Sequence, residues 1–173
     1  MIYSELRDRE FEKISRLVYD LCGINLHDGK KELVKARLGK RLRDGKFKSF
    51  AEYCRYVTTS EGRDELITMI DSLSTNLTYF FREEKHFQRL NAILPLLLQP
   101  GKRSLTPRLK VWCAGCSTGE EAYSLAITIK EILGAKTGEI KILATDISTR
   151  VLKTAITGIY PEEKIRDIPK DIL

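Results

Sequence analysis

A turn that contains two glycines could form a ligand-binding pocket in this sequence, although the two glycines alone are a weak signal. Residues 109–114 have the pattern of a short buried strand, 115–119 form a turn, and the apolar spacing of 120–133 predicts a helix. Such a turn lets a ligand approach the backbone, and free N–H groups at the start of the helix point at it. A plain strand–helix turn without a ligand would show the same pattern.

Acidic residues around this turn favour one class of ligand. Asp146 follows the second predicted strand, a position where an acid typically binds ribose hydroxyls. Glu120 and Glu121 complement the dipole of the helix, but they would repel a pyrophosphate. Gly115 and Gly119 do not form a G-x-G-x-x-G motif, and Asp146 lies further away than in the dinucleotide fingerprint. The pattern favours a nucleoside ligand without phosphates, such as S-adenosylmethionine, whose sulfonium cation is compatible with nearby acids.

The motif Cys113-Ala-Gly-Cys116 raises the possibility of redox or metal chemistry. The following helix would lower the pKa of a thiol, as in thioredoxin-like motifs. However, about a hundred mainly helical residues precede the motif, and no later strand carries an evident cis-proline. The other candidate zinc ligands are scattered along the chain: Cys22, His27, Cys54 and His86. We therefore expect the two cysteines to be packing residues, and no metal is predicted.

The elements that position these residues fall into a helical part and an α/β part. Apolar residues at spacings of three and four predict helices over 8–22, 28–43, 49–57, 61–73 and 87–98. Pro95 should perturb the last of these. The apolar face of the fourth helix is predicted to contain Leu66, Ile67, Ile70 and Leu73.

The composition changes at 99–108, a stretch rich in Pro, Gly and basic residues that predicts a linker. The order that follows is β-α-β-α, with strands at 109–114 and 140–145 and a last helix at 149–157. This order is typical of the start of a doubly wound, Rossmann-like α/β sheet. We predict a helical N-terminal domain over 1–90, a connecting helix and linker over 91–108, and an incomplete α/β domain over 109–173.

The positive charge of the chain is concentrated in one segment. The sequence contains 30 Lys+Arg and 24 Asp+Glu, which gives a net charge of +6. Residues 28–48 contain nine basic and three acidic residues, so this segment accounts for the whole imbalance. An acidic partner that docks at one place would explain the pattern, and so would a solvated helix face.

Hydrophobicity and the N-terminal residues predict a cytoplasmic protein. Hydrophobic residues make up 42% of the chain, enough for a packed core. No apolar run approaches the roughly eighteen residues of a membrane span. The first eight residues are charged and lack the apolar centre of a secretory signal.

Three ordered motifs resemble those of the CheR-type chemotaxis protein methyltransferases. Residues 74–83, Ser-Thr-Asn-Leu-Thr-Tyr-Phe-Phe-Arg-Glu, resemble the T-N-x-T-x-F-F-R-E signature of that family. Residues 111–124 are similar to its cofactor loop, and 143–147 and 158–160 to its next strand and the loop beyond. The resemblance covers essentially the entire chain, including the basic second helix. It implies a helical domain followed by the start of an S-adenosylmethionine-dependent methyltransferase domain.

The resemblance also implies a reaction and its residues. The reaction is methyl transfer from S-adenosylmethionine to glutamate γ-carboxylates on the cytoplasmic helices of chemoreceptors, with S-adenosylhomocysteine as product. A glutamate with a pKa of about 4.3 is already ionised at neutral pH, so no strong base is needed. Arg82 would orient this carboxylate as the catalytic residue. The implied cofactor-binding residues are Asn76, Thr78, Arg82, Ala114, Gly115, Glu121 with Glu120 as its alternative, and Asp146.

In this family the basic segment becomes a candidate docking face for acidic receptor helices. Its candidate residues are Lys31, Lys35, Arg37, Lys40, Arg41 and Arg43. Neither nucleic acid nor membrane insertion is predicted. Two alternatives remain: a non-catalytic homologue that binds receptor or nucleotide, and a nucleic-acid methyltransferase, although the basic segment lacks interleaved aromatics for base stacking. Because family members continue past residue 173, we expect residues 1–173 alone not to be a competent methyltransferase.

Overall fold

The structure is a computed structural model that describes residues 5–98, 108–134, 139–166, 168 and 172. The chain divides into two compact units, with the boundary between Thr75 and Asn76. Of the linker predicted over 99–108, residues 99–107 lie outside the described residues, and Arg108 already begins the first strand. No helix among the described residues is long and apolar enough to cross a membrane.

The described residues of the first unit form four α-helices, close to the positions that apolar spacing predicts. They are α1 (Asp8–Cys22), α2 (Lys31–Asp44), α3 (Phe50–Val57) and α4 (Arg63–Leu73), with a short 3-10 turn (Asp28–Lys30) before α2. Gly23 ends α1 in the left-handed conformation, at φ 72°. The hydroxyl of Ser49 accepts a hydrogen bond from the Glu52 N–H and caps α3.

The core of this unit is built around the narrow apolar stripe of α2. Val34, Leu38 and Leu42 repeat at spacings of four, which places them on one face, and all three are fully buried. They pack against α1, α3 and α4, whose buried residues join the same cluster. Because these three residues form the continuous apolar face of α2, this helix packs into the core of the first unit through the stripe.

The predicted inward face of α4 is wrong at one position. Ile67 is 44% exposed, whereas Met69 is fully buried. A helix turns by roughly 100° per residue, so Leu73 and Met69 lie close to the direction of Leu66, while Ile67 points well away from it. Helical geometry here outweighs the greater hydrophobicity of isoleucine.

A carboxylate on α4 joins three elements of the first unit. Glu65 accepts two hydrogen bonds from the Arg41 guanidinium, at 2.9 and 2.5 Å, and one from the Tyr53 hydroxyl at 2.9 Å. Burial and the Glu65 carboxylate raise the pKa of Tyr53, which keeps the phenol protonated as a donor. The side chains of Arg41 and Glu65 are 26% and 16% exposed, so this pair is shielded better than a surface ion pair.

The second unit begins an α/β fold. Its elements are α5 (Glu84–Leu97), β1 (Arg108–Ala114), α6 (Glu120–Leu133), β2 (Glu139–Thr145), α7 (Thr149–Thr157) and α8 (Glu162–Ile165). The two strands are parallel, in register from Arg108 opposite Glu139 to Ala114 opposite Thr145. The predicted fold class, a helical domain followed by the start of a parallel α/β domain, is confirmed.

One face of the β1–β2 sheet packs on α5 and α6. Leu109, Val111, Ile140 and Ile142 contact a core formed by Leu94, Ile129 and Leu133. The helix that Pro95 is predicted to perturb continues through this proline, and α5 ends at Leu97. Proline removes the N–H that would donate to the carbonyl four residues earlier, and α5 ends two residues after Pro95.

Removing the Glu65 carboxylate should destabilise the first unit. We expect Glu65→Ala to lower the free energy of unfolding by about 3 kcal/mol, because it leaves the partly buried Arg41 and Tyr53 without their shared acceptor. Urea unfolding followed by circular dichroism measures the change. The control is Lys35→Ala, which breaks the exposed 3.8 Å pair with Glu32 and should cost less than about 0.5 kcal/mol. Equal losses for the two variants would contradict the role given to Glu65.

Candidate functional site

The end of β1 and the start of α6 form an open turn in the second unit. The N–H groups of Gly115 and Cys116 both donate to the Thr145 carbonyl, at 2.8 and 2.9 Å, so the turn continues the pairing of the strands. Gly115 has φ +80°, and no described atom lies within 4 Å of the place where its Cβ would be. The left-handed conformation favours glycine, and the open space lets a ligand reach the backbone.

Asp146 ties this turn to the loop that follows β2. Its Oδ2 accepts from the Ser117 N–H at 2.7 Å, and its Oδ1 accepts from the Ser148 N–H at 2.9 Å. A carboxylate has about four acceptor positions, so these two bonds leave capacity for hydroxyl donors of a ligand. Asp146 therefore supports the shape of the turn and retains acceptor positions that the backbone does not use.

The two adjacent glutamates of α6 have different surroundings. Glu120 is fully buried, accepts a 2.5 Å hydrogen bond from the Thr118 hydroxyl and forms an ion pair with Lys164 of α8. Glu121 is exposed, and its Oε1 accepts a 3.3 Å hydrogen bond from the Cys113 thiol. Consecutive helical residues point roughly 100° apart, which separates the two carboxylates. Glu121 is thus accessible to a ligand, whereas Glu120 holds the α8 segment against the start of α6.

The segment before α5 lies against the same turn. The Ser117 hydroxyl donates to the Asn76 carbonyl at 3.0 Å, and the Phe81 N–H donates to the Ser124 hydroxyl at 2.9 Å. The side-chain nitrogen of Asn76 is buried and has no hydrogen-bond partner among the described residues. Such a donor is costly to leave unsatisfied, so its position beside the turn points to a ligand acceptor.

Thr78 and Arg82 belong to this segment but are less closely tied to the turn. Thr78 is half-buried. Arg82 is exposed, and one guanidinium nitrogen donates to the Leu77 carbonyl at 2.7 Å. This bond uses one of five N–H donors, which leaves Arg82 able to bind a carboxylate.

An aromatic cluster, which the sequence interpretation did not identify, fixes the turn from the other side. The Tyr160 hydroxyl donates to the Thr118 carbonyl at 2.7 Å, and its ring packs edge-on against Phe80 and Tyr123. A Cβ on Gly119 would lie 2.6 Å from the Tyr160 hydroxyl oxygen, so this glycine is required for the close approach. In the sequence, the similarity of residues 158–160 to a family loop marked Tyr160. That similarity did not predict which residues Tyr160 contacts.

The cysteine at the end of β1 and the cysteine in the turn are held as neutral thiols. Both are buried, and burial together with Glu121 raises the pKa of Cys113 to about 12. Burial and Asp146 also raise the pKa of Cys116. The lowering expected from the α6 dipole is therefore outweighed by desolvation and nearby carboxylates. In the described part of the chain, no group of three or more His, Cys, Asp or Glu residues could hold a metal ion.

The six basic residues predicted to form a docking face differ in how they are paired within the first unit. Arg41 binds Glu65, and Arg37 donates to the carbonyls of Leu73 and Ser74 at the end of α4. Lys31 pairs with Asp8 at 2.6 Å, and Lys35 lies 3.8 Å from Glu32.

The other two basic residues of this set are exposed on α2. Lys40 and Arg43 make no ion pair among the described residues. An acidic partner could therefore bind Lys40 and Arg43 without displacing a carboxylate of the first unit. Binding to Arg41 would compete with its ion pair with Glu65.

Comparison with known families identifies both units. A family model described as the all-alpha domain of CheR methyltransferase matches residues 9–74, and one described as the SAM binding domain of CheR methyltransferase matches residues 76–173. The chain belongs to the CheR methyltransferase family. The two matches meet at the boundary between the structural units.

Curated members of the CheR family align with almost the whole chain. It is 45% identical to the chemotaxis protein methyltransferase of Borreliella burgdorferi over 164 residues, which covers 93% of this chain and 58% of the relative. It is 41% identical over 162 residues to chemotaxis protein methyltransferase 2 of Pseudomonas aeruginosa, covering 92% and 55%. The Escherichia coli chemotaxis protein methyltransferase is 40% identical over 163 residues, covering 94% and 54%. The chain thus spans a little over half the length of these relatives.

The thiol environment predicts slow alkylation of Cys113. A thiol with a pKa of about 12 is ionised about a thousandfold less at pH 8 than one with a pKa of about 9. We therefore expect Cys113 to react with iodoacetamide about a thousandfold more slowly in the folded chain than in guanidinium, and the rate to rise about tenfold per pH unit between 8 and 10. Mass spectrometry of the Cys113 peptide measures both rates. Rapid alkylation in the folded state would instead support the redox interpretation.

Proposed function

We propose that this chain binds S-adenosylmethionine at the Gly115–Gly119 turn and that the protein transfers the methyl group to glutamate γ-carboxylates of chemoreceptors. The unpartnered Asn76 amide beside the open Gly115 turn is the observation that carries the proposal. The family description names a SAM binding domain, and the relatives are named chemotaxis protein methyltransferases.

The donors and acceptors of the turn fit this cofactor. The Asn76 amide offers a buried hydrogen-bond donor, and Asp146 and the exposed Glu121 offer acceptors. Negative charge on both sides of the turn suits a ligand that carries an amine, hydroxyls and a sulfonium but no phosphate. We assign Asn76, Thr78, Ala114, Gly115, Glu121 and Asp146 to cofactor binding, and we assign Glu120 to positioning.

The reaction needs orientation rather than a base. S-adenosylmethionine supplies a methyl group on a sulfonium sulfur, which leaves as a neutral thioether. A substrate glutamate is already ionised, so one carboxylate oxygen forms the bond to the methyl carbon while the carbon–sulfur bond breaks, and no proton moves. Arg82 orients the carboxylate through a charge-assisted pair, and its exposure keeps this pair weak enough not to over-stabilise the ground state.

Receptor docking is proposed on the exposed basic face of α2. Lys40 and Arg43 are the central residues because both are exposed and unpaired within the described ranges. Lys31 and Lys35 can exchange their exposed partners for receptor carboxylates at little cost. Arg37 and Arg41 contribute mainly by holding α4 in place.

Removing the Asn76 amide tests the cofactor site. We expect Asn76→Ala to weaken S-adenosylhomocysteine binding about tenfold in isothermal titration calorimetry, the loss of roughly one hydrogen bond. Its free energy of unfolding should stay unchanged or rise, because the amide is unsatisfied without ligand. Asn91→Ala, on the exposed surface of α5, should change neither quantity. If Asn76→Ala lowers both the affinity for S-adenosylhomocysteine and the free energy of unfolding, Asn76 has a structural role instead.

The catalytic role of Arg82 predicts a separation of rate from cofactor affinity. We expect Arg82→Lys to lower kcat/KM for methyl transfer into receptor membranes by about 10–100-fold, because lysine keeps the charge but loses bidentate geometry. Affinity for S-adenosylhomocysteine should fall much less. The assay uses the chain extended to the length of its relatives, and Arg89→Lys, exposed on α5, is the matched control. An unchanged rate would remove Arg82 from the mechanism.

A further inference from the structure

The helical unit contains a groove that α1 and α3 form. Its volume is about 600 Å³, within the range of ligand pockets. The lining comes from α1, from α3 and its flanking Thr58, from Arg7, and from Met69 of α4. No described residue of α2 lines it, so this surface is separate from the basic face proposed for the receptor.

The floor of the groove is apolar. Ile14, Val57 and Met69 form buried parts of it, and Leu17 and Cys54 are half-buried beside them. Burial, with a smaller contribution from Glu10, raises the pKa of Cys54 to about 11, so the floor carries no thiolate at neutral pH. An apolar centre with a polar rim is the usual composition of a helix-binding surface.

The rim of the groove is strongly basic. Arg7, Arg9, Lys13 and Arg55 are exposed, and none forms an ion pair with another residue in the part of the chain that the structure describes. Glu10 is the one carboxylate among the described lining residues, and it accepts a 2.9 Å hydrogen bond from the Arg7 N–H. The rim therefore contains four unpaired basic side chains and one carboxylate, that of Glu10, which already accepts one backbone hydrogen bond.

The groove has the length that an amphipathic helix requires. From Arg7 to Leu17 its wall follows α1 for ten residues, or about 15 Å. Arg9 and Lys13 lie four residues apart and share one side of α1. A docked helix of about ten residues would meet this row of cations along its whole length.

We propose that this groove docks an acidic amphipathic helix of a partner protein. Apolar side chains of that helix at i, i+3 or i+4, and i+7 would enter the floor, and flanking carboxylates would meet Lys13 and Arg55. No aromatic side chain is among the described lining residues, which disfavours a nucleic acid that binds by base stacking. The proposal does not depend on the cofactor site or on methyl transfer.

The test uses a fluorescent 14-residue helical peptide with leucines on one face and glutamates elsewhere. Binding to the 173-residue chain is followed by fluorescence anisotropy. We expect Lys13→Glu and Arg55→Glu each to weaken binding about fivefold to tenfold, because attraction becomes repulsion. Arg16→Glu makes the same charge change on α1 outside the groove, and Arg63→Glu makes it at the start of α4. Both controls should stay within about twofold, and circular dichroism verifies that every variant is folded.

A second measurement locates the peptide without a substitution. The sequence contains two methionines, Met1 and Met69, so ¹³C-methyl labelling gives two resonances, one of which reports the groove floor. We expect the Met69 resonance to shift on peptide addition. The proposal is overturned if Met69 does not shift, if Arg16→Glu weakens binding as much as Lys13→Glu, or if a peptide with lysines in place of glutamates binds equally well. The proposal is also overturned if a single-stranded RNA binds more tightly than the peptide and loses affinity in Lys13→Glu and Arg55→Glu. That result would indicate that the groove binds a nucleic acid.

Discussion

The candidate site depends on the Asp146 carboxylate, which binds two backbone N–H groups in different loops. By accepting from Ser117 and Ser148 it fixes the turn after β1 against the loop after β2. Parallel strand pairing ends at Ala114 and Thr145, and Asp146 extends the connection beyond it. With Ser117 fixed, its hydroxyl can hold the Asn76 carbonyl, and the unpartnered Asn76 amide comes to lie beside the turn.

An ion pair with one buried partner complements this arrangement at the start of α6. The buried Glu120 carboxylate pairs with Lys164, whose side chain is 42% exposed, and it accepts from the Thr118 hydroxyl. The Tyr160 hydroxyl donates to the Thr118 carbonyl. Removing Lys164 would leave the buried Glu120 charge uncompensated. The ion pair therefore determines where the α8 segment lies against the turn, and it contributes little to the net free energy of unfolding. Because Glu120 is neutralised inside the unit, Glu121 can remain exposed beside the turn with less like-charge repulsion.

The sequence allowed the fold class to be predicted, and it singled out the turn after β1, Asp146 and Asn76, which the structure brings together. Spacings of four defined the buried stripe of α2, and three ordered motifs identified the family. Local patterns could not separate Glu120 from Glu121, because the partner that buries Glu120 lies 44 residues away at Lys164. The same limit applies to Arg37 and Arg41, whose partners on α4 and at its end lie 24 to 37 residues away. The assigned ligand contacts themselves remain proposals.

Net charge along a segment does not show which of its cations are free to meet an acidic partner. Residues 28–48 carry the entire net charge, yet four of the six cations selected there have partners within the first unit. Helix α1 contains four acids and three bases, and this composition does not predict a docking surface for an acidic partner. Even so, Arg9 and Lys13 of that helix line a groove with an apolar floor and stand unpaired among the described residues. A cation that already has a carboxylate gains little from a second one, so an unpaired cation beside apolar surface is the better indicator of a docking site.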